Sequence, residues 1–216
     1  MVTLFFSQDG KRTSIRTDQD RIRFAILSDT HIPDRVDALH PALLPALSEN
    51  SIDVILHCGD ITRQKVVDDL SEIAPVIAVL GNRDAFFSPI KLPFTQEIEA
   101  FNQTIGMFHG FQSMASYFTD KVEFVLRGYT FEKYAQIGRS FFSSVQVICF
   151  GHTHFAEIRR YGNRIIINPG TAGPNSLNGC SSWVTLDLFK NGKRQAVLNA
   201  LEGYQCHFHH WQKEKV

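Results

Sequence analysis

Short apolar runs that break off in polar residues recur along the chain. "IRFAILSD" (22–29), "IDVILHCGD" (52–60) and "PVIAVLGNRD" (75–84) read as buried strands. Between them, "RVDALHPALLPALSEN" (35–50) and "RQKVVDDLSEI" (63–73) carry apolar residues at helical spacing, with Pro41 and Pro45 expected to break or kink the first. That alternation predicts an α/β protein whose parallel sheet is covered on both faces. In the second half, 95–110 reads as two strands around "FNQT", and 120–142 as mostly helical with an interruption at Gly128. A buried strand follows at 145–151, then hairpins at 156–170 (turned at "YGN") and 181–201 (turned at "KNGK"). Residues 1–20 are polar and turn-rich after "VTLFF", an edge strand or a loose arm. There is no internal repeat, low-complexity tract or linker, so residues 1–216 are read as one domain.

Composition agrees with a folded chain: 44% of the 216 residues are hydrophobic and 20% charged. Lys+Arg and Asp+Glu both number 22, which gives no electrostatic reason for broad nucleic-acid or membrane-surface binding. No apolar run approaches the roughly 20 residues that span a bilayer. The N-terminus has no basic stretch ahead of its apolar patch, so no signal peptide is expected. Cys58, Cys149, Cys180 and Cys206 form no zinc spacing, and reduced cysteines in a cytoplasmic protein are the expectation.

The ends of the apolar runs carry the chemistry. "SDTH" supplies Asp29 and His31, "GD" Asp60, "GNRD" Asn82, "HG" His109, and "GHTH" His152 and His154. Strand ends at one sheet edge are where α/β proteins build sites. Carboxylate oxygen with imidazole nitrogen suits divalent Mn, Fe, Zn, Co or Ni. The set exceeds the needs of one tetrahedral ion and matches two ions that share a bridging carboxylate. Residues at i and i+2 of an extended segment point to one side, so Asp29 with His31, and His152 with His154, can each face one centre. Singly, each motif is an ordinary turn or cap; their co-occurrence in this order carries the inference.

In that order, "SDTH", "GD", "GNRD", "HG" and "GHTH" resemble the calcineurin-like metallophosphoesterases over roughly residues 22–190. "NPGT" (168–171) is similar to the small phosphodiesterase branch, which also holds the retromer scaffold subunit. The resemblance implies a two-sheet β-sandwich flanked by helices, a four-layer αββα arrangement with a binuclear metal site. It implies Asp29, His31 and His154 as ligands of one metal, Asn82, His109 and His152 as ligands of the other, and Asp60 as the bridge. Manganese comes first among the metals, with Fe, Zn, Ni and Co as alternatives. The implied reaction is hydrolysis of phosphodiesters by a metal-bridging hydroxide, with Asn82, Arg83 and His109 as catalytic residues. The alternatives are a phosphomonoesterase, or a catalytically weak scaffold or binding protein of the same fold. Arg83 stands where many relatives have a histidine; a guanidinium stays protonated, so it is a poor general acid and a good phosphate clamp. Its structural alternative is a surface arginine paired with Asp84. The expected partner is a small phosphoester, without membrane or nucleic acid, and a homo-oligomer stays open.

Other residues attract notice without entering this set. His57 is expected as a histidine that supports a ligand, and His40 as a surface residue. The tail "CHFHHWQ" (206–212) reads as a terminal segment outside the motif order. The aromatic-rich stretch 111–142 reads as a helical insert, a lid or a dimer surface, and Phe86 and Phe87 as a wall of the pocket.

Overall fold

The computed structural model describes residues 1–87, 90–110 and 128–214. The first half runs β1 (Thr3–Phe6), β2 (Arg12–Arg16), β3 (Arg21–Leu27), α1 (Leu43–Glu49), β4 (Val54–His57), α2 (Gln64–Ser71), β5 (Val76–Ala78) and α3 (Asn82–Phe87). The second runs β6 (Thr95–Ala100), β7 (Gln103–Phe108), α4 (Phe131–Phe141), β8 (Val147–Cys149), β9 (Glu157–Tyr161), β10 (Arg164–Asn168), β11 (Ser181–Phe189), β12 (Arg194–Leu201), β13 (Tyr204–His207) and β14 (His210–Lys213). One sheet has the order β12-β11-β3-β4-β5, the other β1-β2-β6-β7-β8-β10-β9.

Side-chain alternation stacks these sheets face to face. Phe24, Ile26, Val54 and Leu56 of the first sheet meet Ile105, Met107, Val147, Cys149 and Ile167 of the second in one fully buried cluster. The residues between them point outward. Ala25, Leu27 and Ile55 pack under Leu43 and Leu47 of α1 and Val66 and Leu70 of α2. Phe108, Ile148 and Ile166 pack under Phe131, Tyr134 and Ala135 of α4. Helix, sheet, sheet, helix: the four-layer sandwich expected from the family resemblance is the observed architecture. Strands β3, β4 and β5 are parallel, as the first-half alternation predicts.

Several boundaries differ for local reasons. The helix expected over 35–50 spans only Leu43–Glu49. Pro41 precedes it, and Pro45 sits in its first turn, where backbone N–H groups have no intrahelical partner to lose. The run at 75–84 is a strand only over Val76–Ala78, because "GNRD" opens helix α3. The segment 95–110 is the expected hairpin, turned by Phe101 and Asn102 with φ of 53° and 56°. β1 and β2 form an edge hairpin, with β2 parallel to β6. The tail forms its own hairpin, β13–β14, against the α1 side of the sandwich. Of the stretch 111–142, residues 111–127 lie outside the described residues, as do the side chains of Phe86 and Phe87.

Candidate metal centre

Both sheets end at one place. The loop after β3 brings Asp29 and His31, that after β4 brings Asp60, and the start of α3 brings Asn82. The loop after β7 brings His109, and that after β8 brings His152 and His154. Their side chains converge, but extended backbone is not the cause. Asp29 (φ 56°), His31 (53°), Asp60 (56°), His152 (73°) and His154 (56°) are all left-handed. Such conformations cost about 1–2 kcal/mol each, and persist only where the surroundings hold them. Here the Asp29 N–H donates to the Gly59 carbonyl and the His31 N–H to the Asp60 carbonyl, both at 3.0 Å. The Thr171 hydroxyl donates to the Asp29 carbonyl at 2.7 Å. Gly151 lets the sheets close: a Cβ there would lie 1.7 Å from Ser28 Oγ.

The donor atoms form two sets. In the first, His31 Nε2 lies 3.0 Å from His154 Nε2, and Asp29 Oδ1 is 3.4 Å from His154 Nε2 and 3.6 Å from His31 Nε2. In the second, Asn82 Oδ1 lies 3.0 Å from His109 Nε2 and 2.9 Å from His152 Nδ1. Asp60 Oδ2 belongs to both, at 3.6 Å from His31 Nε2 and 3.5 Å from His109 Nε2. Ligand atoms bound at about 2.1 Å to one ion stand roughly 3.0–3.4 Å apart, so both sets have the spacing of a coordination shell.

Each carboxylate is held by one oxygen and offers the other. Asp29 Oδ2 accepts from the Ser28 hydroxyl at 2.5 Å and the His152 N–H at 2.9 Å. Asp29 Oδ1 is buried with no hydrogen-bond partner, the situation a cation would relieve. Asp60 Oδ1 accepts from the Arg83 N–H at 2.7 Å, which leaves Oδ2 between the two sets. The imidazoles are oriented likewise. His109 Nδ1 lies 2.7 Å from the Cys58 carbonyl, and His154 Nδ1 3.2 Å from that of Asn175. Both contacts require a protonated Nδ1, so each ring is fixed with its Nε2 facing the centre.

The electrostatics ask for positive charge. Burial raises the Asp29 pKa, but the adjoining His154 and His31 imidazoles outweigh it and hold the carboxyl well below its ordinary range. Burial disfavours a charged His109, yet the Asp60 and Asp29 carboxylates raise it to about 10. His152 is pushed down to about 3 by burial and the neighbouring His109 charge. Two buried carboxylates thus face one centre whose negative charge divalent cations would balance. The residues present fit a pair of metal ions.

Nearby residues depart from expectation. Arg83 does not pair with Asp84. Its Nε–H donates to Asp34 Oδ2 at 2.8 Å and its Nη2 to Asp34 Oδ1. Asp84 is buried instead, accepting from the backbone N–H groups of Asp60 (2.8 Å), Thr62 (2.6 Å) and Gly81 (2.8 Å). It ties the "GD" loop to the start of α3. His57 is fully buried and touches the Thr30 hydroxyl, whose Oγ1 also donates to the Asp60 carbonyl at 3.3 Å. His40 is not on the surface: it is 1% exposed, with the edges of Tyr204 and Trp211 against it. Asp34 and Asp84 were missed as site residues. The signal for Asp84 lay in "GNRD" itself; Asp34 needed the fold, because 49 residues separate it from Arg83.

Comparison with known proteins agrees with this picture. The sequence profile of the Calcineurin-like phosphoesterase superfamily domain matches residues 22–191. A probable metallophosphoesterase of Methanothermobacter thermautotrophicus is 32% identical over 148 residues, covering 68% of this chain and 74% of that protein. A phosphodiesterase of Methanocaldococcus jannaschii is 25% identical over 178 residues, covering 82% of this chain and 99% of the relative. Among solved structures, wild-type Vps29 of Entamoeba histolytica complexed with zinc superposes with a TM-score of 0.61 at 23% identity, covering 84% of this chain and all (100%) of that one. That last likeness concerns the fold.

Proposed function

Because the chain belongs to the calcineurin-like phosphoesterase superfamily, we propose that it hydrolyses small phosphodiesters at a centre of two divalent cations. The observation that carries this reading is Asp60 Oδ2, placed at 3.6 Å and 3.5 Å from an imidazole nitrogen of each donor set. Asp29, His31 and His154 would hold one ion and Asn82, His109 and His152 the other, with Asp60 within reach of both sets. Manganese is the first choice, with iron, zinc, nickel and cobalt suited to the same mixed donors. When bound, such ions supply Lewis acidity to phosphoryl oxygens and ionise water near neutral pH.

The chain's own residues do the positioning. Cys58 and Asn175 fix the rings of His109 and His154 through their carbonyls. Arg83, next to Asn82 on α3, offers a permanent charge to offset what develops on the phosphoryl oxygens. This scheme assigns no general acid among the described residues, so diesters with good leaving groups turn over best. The unpaired cysteines suit a reducing cytoplasm, and no described helix is long and apolar enough to cross a membrane.

Hydrolysis of bis-para-nitrophenyl phosphate tests the reading. Wild-type protein with manganese turns it over, and a chelator abolishes the activity. Asp60→Asn and His109→Ala lower kcat/KM by about 100-fold or more, since metal stabilisation of the transition state is worth several kcal/mol. Full activity in either variant removes the site assignment. A second reading, a scaffold with the same fold, stays open; absence of turnover with manganese, zinc, nickel or cobalt favours it.

A further inference from the structure

Asp34 follows His31 by one helical turn's worth of sequence, and its side chain is only 19% exposed. Its Oδ2 accepts from Arg83 Nε–H at 2.8 Å while Oδ1 accepts from Nη2. This is the two-pronged carboxylate–guanidinium pairing, which fixes the plane of the arginine as well as neutralising charge. The same Oδ2 lies 3.5 Å from His31 Nδ1. That nitrogen is buried with no hydrogen-bond partner, and its ring turns Nε2 into the first donor set. A metal-bound histidine commonly gives its second N–H to a carboxylate, which sets the ring's tautomer and direction. Arg35 Nε, at 3.9 Å, also faces Asp34.

We infer that Asp34 is a positioning residue whose single carboxylate sets both the ring of His31 and the plane of Arg83. It couples the hold on one metal to the hold on the phosphate. The Arg83 half of the inference rests on the phosphodiesterase reading; the His31 half does not, because metal binding can be measured without turnover. Asp34 itself touches neither ion nor substrate.

The test uses the full chain, titrated with manganese in a calorimeter and assayed with bis-para-nitrophenyl phosphate. Asp34→Asn is expected to weaken manganese binding by about 10-fold or more, the usual effect of losing such a partner, and to raise KM. Arg83→Gln raises KM and leaves manganese affinity within about 2-fold, because it breaks only one arm. Asp34→Glu keeps the charge but moves the oxygens, so both quantities fall between wild type and Asp34→Asn. The double variant Asp34→Asn/Arg83→Gln matches the KM of Arg83→Gln alone. Wild-type manganese affinity in Asp34→Asn overturns the His31 arm. Wild-type behaviour of Asp34→Glu in both measurements overturns positioning in favour of charge alone. Multiplicative KM effects in the double variant overturn the Arg83 arm. Unfolding midpoints of the metal-free proteins guard against simple misfolding; if Asp34→Asn fails to fold, Asp34→Glu and Arg83→Gln decide. If wild-type protein shows no turnover, the phosphodiesterase reading falls while the manganese titration still decides the His31 arm.

Discussion

At the scale of single residues, burial without a partner marks both the site and the places that only support the fold. Asp29 Oδ1 and His40 Nε2 are both buried and lack hydrogen-bond partners, yet their surroundings differ completely. Asp29 faces imidazoles; His40 faces the Tyr204 and Trp211 rings, and burial pushes its pKa from an ordinary 6.5 to about 4. Unfolding releases His40 to take up a proton, so the unfolded state binds more protons between those values. Its contribution to stability is full above pH 6.5 and declines as pH falls toward 4, by about 2 kcal/mol at pH 5. Urea unfolding of wild type and His40→Phe at pH 7.5 and pH 5.0 checks this: the variant loses less stability over the interval. Equal losses would show that His40 does not carry the effect. The sequence places His40 on the surface, but its cover comes from Tyr204 and Trp211 of the C-terminal hairpin, and helical spacing around Pro41 says nothing about a partner so distant in sequence. The seven donor residues were legible for the opposite reason: each sits in a short motif that breaks an apolar run.

At the scale of elements, close approach of strand ends sets the site. Gly151, after β8, sits where any side chain would strike Ser28 Oγ at 1.7 Å and Asp29 Oδ2 at 2.7 Å, at the end of β3 in the opposite sheet. Gly151→Ala therefore forces the two sheet ends apart. The expected cost is about 1–3 kcal/mol of stability, read as a lower thermal midpoint, with loss of activity beyond what the destabilisation explains. Unchanged midpoint and activity would mean that the ends can yield. Strand existence was legible from apolar runs bounded by turn residues, and the hairpins from their turns. Boundaries were not. α1 begins after Pro41, and "GNRD" starts a helix rather than ending a strand. An apolar run cannot reveal where a carboxylate such as Asp84 will gather backbone N–H groups, and that gathering, from Asp60, Thr62 and Gly81, closes the run into α3.

At the scale of the molecule, the centre joins two sheets whose facing sides pack largely through apolar side chains, with Gln103 of β7 also bonded to the Phe189 carbonyl of β11 and to Arg194 of β12. Asp29 and Asp60 come from one sheet, His109, His152 and His154 from the other. Ions held there would tie the two halves of the sandwich and favour the folded state. Manganese at 100 times its dissociation constant should add about 2.7 kcal/mol of stability for each ion bound, seen as a raised unfolding midpoint that a chelator reverses. Asp60→Asn should lose most of that increment. The sandwich itself was not readable from periodicity: the first-half alternation fits a single covered sheet equally well, and only the motif order pointed to a second sheet stacked against it.

The sharing of Asp60 by two ions can be seen in anomalous X-ray diffraction from crystals grown with manganese. Two peaks about 4 Å apart are expected on either side of Asp60 Oδ2, one against Asp29, His31 and His154, the other against Asn82, His109 and His152. A single peak, or peaks away from Asp60, would contradict it.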